Sequence, residues 1–165
     1  MPVPYDRGVP HFLSATADIR GDYRYSLSRV WDEALPTMTF VLLNPSTADA
    51  VNLDPTLRRC LNFAERDGYG GMKILNLYAY RTPSPKVMLA APDPVGPDND
   101  QALAGAGGTV VAGWGTKAHP MRVAHALTLL PPLKALKITS YGHPQHPLYV
   151  KGDSQLLDWP EPSAP

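Results

Sequence analysis

The chain has almost no cysteine; Cys60 stands alone. One thiol rules out an intramolecular disulfide, a cysteine-ligated iron–sulfur cluster and a zinc finger. Neither sign of charge predominates, because fifteen Lys and Arg balance fifteen Asp and Glu. A neutral chain has no overall field to gather a polyanion, which counts against tight non-specific DNA binding but leaves room for a local basic face. No apolar run approaches ~18 residues, the length of a membrane-spanning helix. The opening MPVPYDRG lacks a basic-then-apolar leader, so a cytoplasmic, reducing compartment and no membrane partner are expected. Familiar signatures are also missing. No GxGxxG follows a strand, and neither the P-loop pattern nor GxSxG occurs, which removes dinucleotide-binding folds, P-loop NTPases and typical α/β-hydrolases. Internal repeats and low-complexity blocks are absent too.

What is present describes a folded domain. A length of 165 residues suits one domain, and 44% apolar against 18% charged residues is a globular composition. The nineteen prolines gather at turns and termini, which predicts a compact domain rich in loops. The core is expected over about 12–150, with a loose N-terminal arm at 1–10 and, apart from Leu156, Leu157 and Trp159, a frayed tail from 154 to 165.

Phe12–Ile19 and Tyr23–Trp31 flank Arg20-Gly21-Asp22, a hairpin pattern; Tyr23, Tyr25, Leu27, Arg29 and Trp31 alternate as in a half-exposed antiparallel strand. Met38–Asp49 opens as an unbroken apolar run and stops at Asn44-Pro45-Ser46-Thr47, the pattern of a strand buried on both faces. Asp54-Pro55 reads as an N-cap and first helical residue, and Leu57, Cys60, Leu61 and Ala64 recur at helical spacing up to Gly68. Cys60 therefore reads as a small buried apolar residue. Met72–Leu77 is a second strand, Lys86–Ala91 a short helix, and Asp98-Asn99-Asp100 the cap of another helix. Thr109–Gly113, Pro120–Leu130 and Ala135–Ser140 complete the series as strand, helix and strand. Strands alternating with helices predict an α/β fold: a three-layer α/β/α sandwich on a mainly parallel four-stranded sheet, with the hairpin added at one edge.

In such a sheet, ligands bind beyond the carboxyl ends of the strands. The residues delivered there are Asn44, Pro45, Ser46 and Asp49; Asn76, Tyr78, Tyr80 and Arg81; Trp114; and His143 and His146. A polar, ionisable and aromatic set from four strand ends is what a pocket needs to hold a flat polar ligand and move protons. Each residue also has a plainer reading. Asn44-Pro45-Ser46 can be an Asx-type turn, Asp54 a cap and Trp114 core packing; Arg58 and Arg59 can be a solvated helix face, or a phosphate contact near the helix N-terminus. His11, His119 and His125 have no company that suggests a role. In GHPQHPLY, two histidines sit in a proline-stiffened loop, and histidine suits proton transfer near neutral pH. A metal site would need a third ligand such as Asp49, and His-x-x-His without cysteine is a weak metal pattern, so general acid or anion stabiliser ranks higher and no cofactor is expected.

LLNPSTAD, DPTLRRC, NLYAYR, DPVGPDND, AGWG and GHPQHPLY together resemble a bacterial and phage family, domain of unknown function 1643, over about Tyr23 to Tyr149. That family carries no assigned activity. More distantly, the layout resembles the uracil-DNA glycosylase superfamily, with one motif after the first central strand and a His-Pro motif after the last. The resemblance implies that Asn44, followed by Pro45, positions an attacking water; Asp49, from the same strand end, is the candidate base. It implies that His143 or His146 stabilises the departing nucleobase, and that Tyr78 or Tyr80 replaces the usual stacking phenylalanine. The substrate it implies is a nucleobase in DNA or in a nucleotide. A non-catalytic base-binding module and a metal-dependent hydrolase using His143, His146 and Asp49 are the alternatives.

Overall fold

The computed structural model describes residues 11–160. The arm expected at 1–10 and the last part of the tail, 161–165, lie outside them.

The protein is α/β with one seven-stranded mixed sheet. In chain order its elements are β1 (Ser14–Arg20), β2 (Tyr23–Val30), β3 (Thr37–Leu42), α1 (Pro55–Arg66), β4 (Gly71–Asn76), α2 (Pro85–Ala90), α3 (Asn99–Ala104), β5 (Thr109–Ala112), α4 (Pro120–Leu129), β6 (Leu133–Ala135), a 3-10 turn (Pro147–Tyr149) and β7 (Leu157–Trp159). The strands lie in the order β1-β2-β4-β3-β5-β6-β7. β4, β3, β5 and β6 pair in parallel; β1–β2, β2–β4 and β6–β7 are antiparallel. Both edges of the sheet are thus antiparallel, where the sequence pattern predicted such pairing only at the hairpin.

The central strands read as apolar runs because both of their faces are covered. Met38, Phe40 and Leu42 of β3, Met72 and Ile74 of β4 and Val111 of β5 enter one core with Leu57, Cys60, Leu61 and Ala64 of α1. Val41, Leu75, Val110 and Ala112 point the other way, into a second core with Met88 of α2, Leu103 of α3 and Ala126 of α4. The period-2 alternation of strand side chains builds both layers from one run of sequence. Each fully buried Leu or Phe in them contributes about 1.5–3 kcal/mol relative to leaving it in water.

Local chemistry sets the helix boundaries. Asp54 caps α1, its Oδ1 accepting the Leu57 amide at 2.9 Å, and Pro55 occupies the first helical position, where no N–H is needed. Ser84 caps α2 in the same manner, with Pro85 following. Cys60 is buried in the α1 face, and burial pushes its thiol pKa up; it cannot serve as a nucleophile near neutral pH.

Two sequence expectations are corrected at the far edge. The last parallel strand is Leu133–Ala135, not Ala135–Ser140. Leu133 and Ala135 are buried while Lys134 between them is exposed and pairs with Asp158 on β7. Downstream, Ile138 only bridges back to Pro144, closing the 139–143 loop on itself. Nor is the tail frayed throughout. β7 pairs with β6, and the buried Trp159 ring meets Trp114 edge-on at 5.1 Å while its indole N–H donates to Gly142 O at 2.8 Å.

Candidate functional site

The carboxyl ends of β3 and β5, the first turn of α1 and the 145–149 segment enclose a cavity of about 630 Å³. Of the residues expected at a site, Asn44, Ser46, Trp114 and His146 line it. Arg24, Thr47, Asp54, Thr56, Thr82, Lys117, Gln145 and Tyr149 line it as well.

Asn44 sits where the β3 ladder stops, because Pro45 has no N–H to continue it. Its Nδ2 reaches the carbonyls of Thr82 at 2.9 Å, Pro45 at 3.1 Å and Tyr80 at 3.3 Å. Thr82 answers by donating its amide to Pro45 O at 2.9 Å. These bonds join the loops after β3 and β4 and fix which way the amide points. Oδ1, an acceptor, is left without a partner among the described residues.

His146 is held as firmly. Arg59 of α1 donates from Nε to Pro147 O and from Nη2 to Val150 O, tying the 3-10 turn to the helix. The Gly115 amide donates to Pro144 O at 2.8 Å. Gly115 has φ +73°, a left-handed conformation that side chains rarely adopt, so the Trp-Gly turn owes its shape to the glycine. His146 caps the turn itself, its Nδ1 accepting the Leu148 amide at 3.3 Å. An accepting Nδ1 puts the neutral ring's proton on Nε2, which makes that nitrogen a donor. Burial lowers the His146 pKa and favours this neutral form. The exposed ring of Tyr149 lies 5.7 Å from the imidazole, centroid to centroid.

Arg24 is a cavity residue that strand alternation alone does not find. Asp18 pairs with Ser26, but Ile19 pairs with Arg24, so Tyr25 is an extra residue and β2 bulges there. A bulge re-aims the side chains beside it. Tyr23 and Tyr25 stack beside Gly96, whereas Arg24 is aimed at the cavity and donates from Nη1 to Ala48 O at 3.0 Å. Only 1% of it is exposed, and burial pushes its guanidinium pKa down to about 10, leaving it charged at neutral pH.

The other expected residues are elsewhere. Asp49 does not line the cavity. Its Oδ1 accepts the Val51 and Asn52 amides, each at 2.8 Å, an Asx turn in which the Asn52 amide holds its carboxyl below the usual carboxylate range. The carboxylate that lines the cavity is Asp54. His143 is exposed beyond the rim, with its backbone amide on Thr139 Oγ1. Tyr78 is buried, and its hydroxyl accepts the His119 amide; Tyr80 packs edge-on against Tyr23. Pro45 is buried behind Asn44, and Arg58 is on an exposed part of α1. Arg59 holds the loop and does not line the cavity. Arg81 is half-buried next to the site, its Nε without a partner. Asn76 is fully buried, and nothing in the structure explains why neither atom of its side-chain amide is bonded. The described residues hold no group of three or more His, Cys, Asp or Glu suited to a metal, and Asp49, His143 and His146 do not converge on one. None of the described helices is long and apolar enough to cross a membrane.

An α/β domain whose cavity beyond the strand ends sets a few polar and charged side chains in a mainly apolar lining is a framework for binding or catalysis. The sequence profile described as "Protein of unknown function (DUF1643)" matches residues 24–148. The chain belongs to that family. No curated protein and no solved structure matches it.

Proposed function

We propose that the protein is a glycosylase-like enzyme that hydrolyses the N-glycosidic bond of a nucleobase in DNA or in a nucleotide. One observation supports this above the rest: Asn44 and His146, a hundred residues apart in sequence, line one cavity with complementary offers. Asn44 presents a fixed acceptor, Oδ1; His146 presents a donor, Nε2–H.

Breaking the bond leaves the base with the electron pair of the C1′–N bond, and a water oxygen bonds to C1′ in its place. The departing base gains negative charge, which a preorganised donor stabilises. A neutral imidazole donating from Nε2 can do this without giving up its proton. Asn44 Oδ1 accepts a hydrogen bond from the water and aims it. The water proton passes to Asp54, the one carboxylate lining the cavity, whose Oδ1 is held by the Leu57 amide. Asp54 thus takes the part the sequence pattern offered to Asp49. The exposed Tyr149 ring beside His146 supplies a face for base stacking.

Incubation of the intact chain with nucleotides and with single- and double-stranded oligonucleotides containing uracil or modified bases, followed by chromatography of free base, tests the reading. Release is expected, with a loss of about 10²–10³-fold in His146→Ala. No free base from any of these substrates would sink it. The rigid anchoring of Asn44 and His146 also suits recognition without turnover. That second reading predicts base binding that survives His146→Ala and no product.

A further inference from the structure

We propose that Arg24 is the ligand of an anion subsite in the cavity wall, and that this subsite takes the phosphate group of a nucleotide. The identity of the rest of the ligand rests on the nucleobase reading above.

The first observation is a buried charge without an ion-pair partner; the Asp54 carboxylate acts on it only from beyond contact distance. Arg24 is 1% exposed, yet no described carboxylate comes within ion-pair distance of it. Of its guanidinium donors only Nη1 is bonded, to a neutral carbonyl, and Nε is buried without a partner among the described residues. A guanidinium removed from water with donors unmet is costly unless something anionic completes it. Its planar fork matches two oxygens of a phosphate. Arg24 is aimed there by a bulge, a backbone device that re-directs side chains beside functional sites.

The second observation is independent of the arginine. The first turn of α1, a helix of twelve residues, forms the neighbouring wall. The Leu57 and Arg58 amides are taken by Asp54, and the Thr56 amide has no partner among the described residues. Such an N-terminus favours an anion. Lys117 also lines the cavity, so two cations face the single carboxylate of Asp54. The volume of about 630 Å³ falls within the ~300–1,000 Å³ of pockets for small ligands and cofactors. With no net charge on the whole chain to attract a polyanion, a free nucleotide is favoured over a strand.

Calorimetric titration of the intact chain at constant ionic strength tests this. The probes are a nucleoside 5′-monophosphate, the matching nucleoside, inorganic phosphate and a single-stranded oligonucleotide. The monophosphate is expected to bind at least tenfold more tightly than the nucleoside. Arg24→Gln should erase that advantage while leaving nucleoside affinity in place, and Arg24→Lys should keep part of it. Phosphate, but not an equal ionic strength of chloride, should raise the melting temperature. Equal affinity of wild type for monophosphate and nucleoside overturns the proposal whether or not Arg24→Gln folds, as does an advantage that survives in a folded Arg24→Gln. An oligonucleotide that binds more tightly than the monophosphate, with the same dependence on Arg24, overturns the free-nucleotide source. The two readings fail separately. Arg24-dependent monophosphate binding without base release keeps the subsite and removes the glycosidic reaction; base release indifferent to the 5′-phosphate and to Arg24→Gln does the reverse.

Discussion

Asn44 Nδ2 donates to Thr82 O at 2.9 Å while the Thr82 amide donates to Pro45 O at the same distance, so the loops after two adjacent parallel strands are clamped from both sides. The Asn44 amide is thus a structural clamp on a residue that lines the cavity, with Oδ1 left without a partner among the described residues.

Asn44→Ala removes the clamp and the acceptor together. A loss of about 1–3 kcal/mol is expected, because the Tyr80 and Thr82 carbonyls lose a donor in a half-buried place. Asn44→Asp should cost more, since a carboxylate would face carbonyl oxygens. Urea unfolding of the three proteins checks this order, and equal stability of Asn44→Ala and wild type would show that the clamp is idle.

His146 makes a pH prediction whose sign follows from burial. In the folded chain its pKa is lowered from 6.5. Between the folded and unfolded values the unfolded chain binds more protons, so stability rises with pH through that window and falls as pH drops through it. Above 6.5 both states hold a neutral ring and this contribution is flat. Only the neutral ring lets Nδ1 accept the Leu148 amide and hold the imidazole in place, so base release should persist below pH 6.5 and fall off only near the folded value. NMR titration of the His146 ring locates that midpoint; a value at or above 6.5 contradicts the assignment.

Arg59 acts on the cavity through the loop it holds. Arg59→Ala leaves the Pro147 and Val150 carbonyls without the guanidinium that ties them to α1. A loss of about 1–2 kcal/mol is expected, together with faster amide exchange at Tyr149 and Val150. Exchange rates there unchanged from wild type would mean that the 3-10 turn holds without the helix.

Trp159 tests whether the C-terminal strand closes the sheet. Trp159→Ala deletes the edge-on contact with Trp114 and the bond to Gly142 O. The expected cost is about 3 kcal/mol, the lower end for truncating a buried aromatic. Calorimetric unfolding reads it directly. A change within ~0.5 kcal/mol would match an ordinary surface position and rule out that closing role.

Much of this fold was legible because the signals are local. Asp54 and Pro55 mark the start of α1 through their own chemistry, and the apolar run ending at Asn44-Pro45 marks a strand buried on both faces. The proline-stiffened GHPQHPLY loop pointed to a histidine at the strand ends for the same reason. β7 was not legible: three residues are too few for periodicity, and Trp159 is buried only because β6 and Trp114 are there to receive it.

The residues that meet in the cavity were decided by tertiary structure. Asp49 and Asp54 are near neighbours in one loop, yet turn amides take up the first while the helix start carries the second to the cavity wall. His143 and His146 look alike in sequence; the Gly115 amide, the Arg59 guanidinium and the Leu148 amide together bring only the second to the cavity. Arg24 is the clearest case. Period-2 reading of β2 selects Tyr23, Tyr25 and Leu27, and the slip in pairing with β1 inverts that choice from Tyr25 back to Tyr23. Sequence by itself determined the strands and helices other than β6 and β7, and which face of each is apolar, because these follow from contacts a few residues apart. Only the folded sheet decided which polar groups share the cavity, because a bulge, a cap and a clamp depend on partners that the chain brings together from far apart.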